Sequence, residues 1–315
     1  MNSDPYRCND SERERLRRLC LEAGACRARF TSAEPLSDRE AALYDSWLAG
    51  GRNGSMAYME RYPEIRRDPA LLLEDARTIL CCAFAYRTPT TPRSALFADY
   101  ALGDDYHHVL RRHLQPVADA LDAISPGTRI CIDTAPLRER YHAVKAGVGT
   151  IGLNNLLFVP GVGAAVFLAE ILWTGVVTPD SPLANSHCNG CGACVSACPH
   201  GAIDGKGGLD ARRCLSYLTI EHRGRAALAP PDHGRIYGCD ICRDACPATR
   251  DLPREAAYTV LPEFTPRPDV LALDRPNVAK MTQPDFSRIF ARSAVKRAKL
   301  DGIRKYLTDE TTENS

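Results

Sequence analysis

Two hydrophobic patterns run along this chain, and they separate its elements. Ser11 to Ala25 is rich in Arg and Leu and predicts an amphipathic helix. Tyr58 to Arg67 is charged and reads as a surface helix or loop. Thr78 to Tyr86 (TILCCAFAY) is apolar without a break and has strand length, so it predicts a buried strand. From Tyr106 to Ile124 the apolar residues Val109, Leu110, Leu114, Val117 and Leu121 share one helical face. Arg129 to Asp133 predicts a second, short strand with Asp133 at its end. Leu137 to Ala146 predicts a helix stopped by Gly147, and Ala164 to Leu172 a third buried segment. Helices alternating with apolar strands argue for an α/β or α+β layered domain over residues 1–180.

The polar, proline-bearing stretch Thr178 to Asn185 marks a boundary. A cysteine-dense unit, residues 181–250, follows it. Residues 251–285 are rich in proline and charge and are expected to wrap the surface. Asp285 to Tyr306 is expected to form one basic helix, and residues 308–315 a disordered end. The expected class is α+β, with units at 1–180, 181–250 and 251–315.

Charge and length then narrow the picture. The chain has 315 residues and a formal net charge of +1, so bulk charge does not make it a nucleic-acid binder. Local clusters of charge must carry any such role. The longest apolar stretch, Val162 to Val177, contains Glu170 and is too short to span a bilayer. The opening Met1-Asn-Ser-Asp-Pro-Tyr-Arg is polar and lacks the apolar core of a signal peptide. A cytoplasmic protein without membrane association is the expectation, and there closely spaced cysteines indicate metal rather than disulfides.

The cysteines carry the most specific chemistry. Eight of the fourteen lie beyond residue 187. Cys188, Cys191, Cys194 and Cys198-Pro199 follow C-x2-C-x2-C-x3-C-P, the bacterial ferredoxin run for 4Fe–4S clusters. Cys239, Cys242 and Cys246-Pro247 repeat that run without its first member, and Cys214 can supply the missing thiolate. In two-cluster ferredoxins the fourth cysteine of each run ligates the other cluster. One cluster then takes Cys188, Cys191, Cys194 and Cys246, and the other Cys198, Cys214, Cys239 and Cys242. Zinc also favours C-x2-C pairs, but two C-x3-C-P endings and eight thiolates fit paired cubanes better. Cys8, Cys20, Cys26, Cys81, Cys82 and Cys131 have no motif spacing and read as small buried hydrophobes.

Clusters move single electrons, so the 180 residues before them should hold an acceptor. Ala146 to Asn155 is dense in glycine, which lets backbone approach a ligand. Its G-x-G-x-x-G spacing follows a helix-like segment rather than a strand, which argues against a dinucleotide. Asp133, at a strand end, is a candidate site residue or a helix cap.

Several motifs in one order resemble epoxyqueuosine reductase. They are Tyr100-Ala101-x-Gly103 with Asp105-Tyr106-His107, Asp133-Thr-Ala-Pro136, Glu139-Arg140 and Ala146-Gly147-x-Gly149-x-Ile151-Gly152-x-Asn154. The cluster run at 188–199, Arg213-Cys214-x-Ser216-Tyr217-Leu218-Thr219-Ile220-Glu221 and Gly238-Cys239-Asp240-Ile241-Cys242-x-Asp244-x-Cys246-Pro247 complete the set. The resemblance spans roughly Gly54 to Arg304. It implies two 4Fe–4S clusters and base-off cobalamin, used to reduce the epoxide of epoxyqueuosine at the tRNA wobble position. Asp133 matches the family's proton donor, a role for which a raised carboxyl pKa is expected. Tyr58, Tyr106, His107, Asp133, Gly152, Asn154 and Ser216 are the expected cobalamin contacts.

The implied substrate is an anticodon arm, which calls for phosphate contacts. Arg288, Arg292 and Lys296 recur every four residues, and Arg297, Lys299, Arg304 and Lys305 thicken the patch. A flavodoxin, ferredoxin or similar donor would supply electrons, and a monomer suffices. The chain departs from the family where it has Thr150 instead of Trp and Leu153 instead of Lys. It departs again at Ala248-Thr249 and Arg304-Lys305. A cobalamin reductase of a small molecule, of the reductive dehalogenase kind, and a ferredoxin-like electron carrier are the alternative readings.

Overall fold

The computed structural model describes residues 5–223, 234–253, 255 and 257–307; the expectation for 308–315 lies outside them. Six strands are present among these residues: β1 (Arg27–Ser32), β2 (Thr78–Ala85), β3 (Thr128–Cys131), β4 (Thr150–Ile151), β5 (Leu157–Phe158) and β6 (Val166–Trp173). Four of them form one sheet in the order β1-β2-β6-β3, and every neighbouring pair is antiparallel. β4 and β5 form a separate hairpin. An antiparallel sheet with helices packed on it is an α+β arrangement.

β2 lies inside the sheet and is buried over its full length, which explains its unbroken apolar sequence. Its Leu80, Cys82 and Phe84 share a core with Leu16 of α1 (Asp10–Glu22) and Leu110 and Leu114 of α4 (Tyr106–Asp122). On the opposite face, Ile79, Cys81 and Ala83 pack with Ala143 of α5 (Glu139–Lys145). Asn9 opens α1 with a capping box, and Asp105 caps α4 by accepting the His107 N–H. Two elements carry little sequence pattern: edge strand β1, and α2 (Asp38–Ala49), which buries no residue. The short α3 (Pro63–Arg67) completes the charged stretch beside Tyr58.

The cysteine region contributes four short helices: α6 (Ala193–Ala197), α7 (Leu215–Ile220), α8 (Ile241–Asp244) and α9 (Pro247–Arg250). Four more follow: α10 (Pro268–Leu271), α11 (Arg275–Lys280), α12 (Gln283–Ile289) and α13 (Lys299–Arg304). The single basic helix expected over 285–306 is therefore broken. α12 ends at Ile289, a 3-10 turn covers Ala294–Ala298, and α13 follows. The break has a packing cause. Phe286, Phe290, Val295, Leu300 and Ile303 fill a second core with Leu96, Phe97 and Leu102, and one straight helix cannot direct all of them inward. Buried Ser293 caps the turn through Val295 N–H and donates to the Ala101 carbonyl at 3.2 Å. Among the described residues no helix is long and apolar enough to cross a membrane.

Candidate active site and iron–sulfur ligands

The eight thiols lie within electrostatic reach of one another in two adjoining sets. Cys188, Cys191, Cys194 and Cys246 line one cavity. Cys194 lies within electrostatic reach of Cys246 and Cys188, and Cys246 of Cys188 and Cys191. In the second group, Cys214 feels Cys198, Cys239 feels Cys214, and Cys242 feels Cys239, Cys214 and Cys198. Cys242 also feels Cys194, so the two groups adjoin. Gly190 and Gly192 hold the first loop at φ +73°, with open space where a Cβ would sit. The left-handed backbone, not crowding, selects glycine there. Four of the six remaining cysteines (Cys20, Cys81, Cys82 and Cys131) are buried, as expected for small hydrophobes; Cys8 and Cys26 are only half-buried.

An ion network ties the second cysteine run to the N-terminal layer. Arg243, only 2% exposed, pairs with Asp99 at 2.6 Å, Asp244 at 2.8 Å and Asp240 at 3.1 Å. It also donates to the Tyr86 hydroxyl at 2.9 Å. Arg87 and Arg93 share Asp99 from the other side. Sequence reading treats position 243 as the variable residue of the run. Nothing local marks it, because its partners lie far away in the chain.

Asp133 follows β3 by two residues and stands at the start of α4. The Tyr106 hydroxyl donates to its Oδ2 at 2.7 Å, and His107 Nε2 lies 3.2 Å from the same oxygen. Oδ1 takes neither bond, and the side chain is 58% exposed. Behind the ring, His107 Nδ1 meets Asp105 at 2.7 Å. Tyr106 is clamped by stacking on Phe167 (4.4 Å between centroids) and on His107 (4.1 Å). The result is a chain from Asp105 through His107 to Asp133.

The electrostatics of that chain correct the expectation of a raised Asp133. The protein packed around one side of this partly exposed carboxyl strips water from it and pushes it up, but the hydrogen bonds from His107 and Tyr106 outweigh that and hold Asp133 below the usual carboxylate value. Burial alone would lower His107; its bonds to Asp105 and Asp133 instead lift it to about 9. At neutral pH the proton sits on His107. Glu139, at the first position of α5, accepts the Asp133 backbone N–H at 2.5 Å. Burial, and then the Asp133 carboxylate, push Glu139 up to about 8.

The expected cofactor contacts divide between two places. Tyr58 lies 40% exposed near Asp133, with the Arg297 guanidinium 5.7 Å from its ring. Arg297 is fixed by Glu221 through bonds of 2.7 and 2.8 Å, and its charge helps keep Asp133 low. Tyr58, Tyr106, His107, Asp133 and Arg297 thus lie close to one another. Gly152 and Asn154 instead line the cavity of the first cysteine group. Asn154 is buried and donates to the Cys242 carbonyl at 3.2 Å, while a Cβ on Gly152 would meet Phe158 at 2.7 Å. Ser216 lies half-buried in α7, two residues after Cys214. The glycine stretch itself is the β4–β5 hairpin and its approach, with no strand before it and no helix after it, so the dinucleotide pattern is coincidental.

The basic residues keep their exposure despite the broken helix. Arg288 and Arg292 are 70% and 73% exposed, and Lys296 and Arg297 are exposed on the 3-10 turn. Arg304 and Lys305 are spent on packing. Arg304 donates to the Val278 and Met281 carbonyls, and Lys305 to those of Leu218 and His222.

A family profile described as epoxyqueuosine reductase QueG, DUF1730, matches residues 66–134. A 4Fe-4S double cluster binding domain matches residues 187–249. The epoxyqueuosine reductase of Gloeobacter violaceus is 36% identical over 87% of this chain and 87% of its own length. That of Cellulophaga algicola is 31% identical over 97% of this chain and 98% of its own. An epoxyqueuosine reductase solved with a tRNA-Tyr epoxyqueuosine-modified stem loop superposes with a TM-score of 0.85 at 28% identity, covering 94% of this chain and 79% of that one. The Bacillus subtilis epoxyqueuosine reductase, solved with its catalytic aspartate loop swung out of the active site, gives 0.82 at 27% identity, covering 94% and 79%. With this identity over nearly the full length, and with both family profiles matched, the chain belongs to the epoxyqueuosine reductase family.

Proposed function

We propose that this protein reduces epoxyqueuosine in the anticodon arm of tRNA to queuosine, in the cytoplasm and as a monomer. Opening an epoxide to an alkene consumes two electrons and two protons and releases water. The observation that carries the reading is the Asp105–His107–Asp133 chain, with Asp133 Oδ1 left for substrate, in a protein that also brings together two four-thiol sets. The thiol sets would hold two 4Fe–4S clusters that pass electrons inward one at a time from a flavodoxin, a ferredoxin or a similar donor. Base-off cobalamin, when bound, would supply low-valent cobalt for C–O cleavage. The exposed Asp133 carboxylate, with His107 and the rings of Tyr58 and Tyr106 beside it, forms a polar and aromatic surface that suits such a ligand. Tyr58, Tyr106 and His107 would contact it, and Asp133 would face the epoxide.

The residues of this chain handle the protons. Asp133 binds the reacting oxygen and passes it a proton drawn from His107, which Asp105 keeps charged. The Tyr106 hydroxyl fixes the carboxylate rotamer through Oδ2. The first proton from His107 converts the developing alkoxide to a hydroxyl; His107, partly exposed, is then recharged from solvent, and the second proton lets that oxygen leave as water. His107 is thus the store and Asp133 the contact. Arg288, Arg292 and Lys296 would meet backbone phosphates of the arm, and Arg297 those nearest Asp133.

Nucleoside mass spectrometry on an epoxyqueuosine-bearing stem loop tests this reading. The reconstituted protein, cobalamin and a strong reductant should remove one oxygen mass, and Asp133→Asn should abolish the conversion while both clusters remain. No conversion by fully loaded parent protein would overturn the assignment.

A further inference from the structure

Beneath Asp133 lies a pair of acids that the proton route does not use. Glu139 Oε1 accepts the Asp133 N–H. Glu170, in β6, is fully buried, and the one group that reaches its carboxyl for a hydrogen bond among the described residues is the Glu139 carboxyl, which can accept only if Glu170 carries a proton. In the sheet register it stands opposite Cys81 of β2 and Cys131 of β3. α5 packs on this face of β2 and β6, which brings Glu139 over Glu170. Burial, and then Glu139, push Glu170 well above the carboxylate range, so it stays neutral.

Asp133 also has an unusual backbone. Its φ is +53°, and the Thr134 N–H closes a three-residue turn onto the Ile132 carbonyl at 2.5 Å. The positive-φ form of such a turn is the rare, strained one, and a non-glycine residue keeps it only where surroundings enforce it. The described contact that does so at the Asp133 N–H is Glu139.

We propose that Glu139 is a positioning residue, clamping the Asp133 N–H so that the turn presents the Asp133 carboxylate to Tyr106 and His107, with neutral Glu170 as its buried partner. The inference rests on Asp133 being the reacting acid. Clamp length, rather than charge, sets its effect. Glu139→Gln keeps an oxygen for the Asp133 N–H and offers Glu170 an amide donor. Glu139→Asp keeps the charge but withdraws the oxygen by one methylene.

The test compares both variants, as full-length protein with clusters rebuilt, by two readouts. One is amide hydrogen exchange over residues 132–137 without tRNA; the other is single-turnover conversion of the stem loop. Glu139→Gln should stay within about threefold of the parent in both readouts. Glu139→Asp should exchange at least about tenfold faster over 132–137 and turn over about a hundredfold more slowly. Its iron content, stem-loop affinity and exchange in β2 and β6 should not change. The reverse order, with Asp competent and Gln defective, overturns the clamp. So do parent-like values in both variants, or faster exchange spread through β2 and β6. If the parent converts no epoxide, the proposed function fails, yet the exchange comparison still judges the clamp.

Discussion

Replacing His107 by glutamine removes a titrating proton while leaving a side chain that can still donate to Asp133. His107 rises from an ordinary 6.5 to about 9, against burial, because Asp105 and Asp133 flank it. At roughly 1.4 kcal/mol per unit, that is a ceiling of about 3.5 kcal/mol on the interaction of the charged ring. The ring is 30% exposed, so solvent screening brings the expected contribution to about 1–2 kcal/mol. Folded His107 holds its proton more tightly than unfolded His107. This stability is therefore complete below pH 6.5 and drains away as pH rises through about 9. The chemistry should follow the same proton. Single-turnover conversion of the stem loop, measured from pH 6 to 10.5, should fall about tenfold per unit above about pH 9 in the parent. His107→Gln should be slower by about 10²–10⁴ at neutral pH and should lack that falling limb. A variant with the parent's rate, or with the same limb near pH 9, would refute the assignment of the proton to His107.

Three further outcomes follow from the same geometry. Cys214→Ala should cost the cluster shared with Cys198, Cys239 and Cys242, dropping bound iron from about eight to about four per chain; full iron retention contradicts the ligand grouping. Arg243→Met strands Asp99 and Asp240 in the interior and should cost about 3–5 kcal/mol in denaturant unfolding. A loss under about 1 kcal/mol would mean that Arg87 and Arg93 already neutralise the pocket. Alanine at Arg288, Arg292 and Lys296 together should weaken stem-loop binding and flatten its log-salt slope by about one per residue lost, with iron content unchanged. Unchanged affinity would leave those exposed charges as ordinary solvated surface.

Which parts of this were readable from sequence depends on how far apart the cooperating residues lie. β2, β3, β6, α1, α4 and α5 all sit within a few residues of the periodic or apolar stretches that predict them. β1 and α2 escaped because one is an arginine-bearing edge strand and the other buries nothing. Asp133 and the glycine stretch stood out on residue type and resemblance. Arg243 and Glu170 did not. The one visible trace of Glu170 was an acid interrupting an apolar strand, and its meaning depends on Glu139 coming to rest above it.

The basic C-terminal stretch shows the same division from the other side. Its four-residue spacing was real, yet Phe290, Ser293 and Val295 needed places in a core that Leu96, Phe97 and Leu102 open, and the helix broke to supply them. Local spacing alone determined the thiol runs, because the loop around a cluster is built from neighbours in sequence. The charge state of the candidate acid was decided elsewhere. Tyr106, His107, Glu139 and Asp133 meet only after β3, α4 and α5 have packed, and a proton's affinity depends on every dipole and charge brought within a few ångströms of it. Sequence therefore determined which groups this protein owns and how its cluster loops are spaced, while tertiary structure decided that the proton rests on His107 rather than on Asp133.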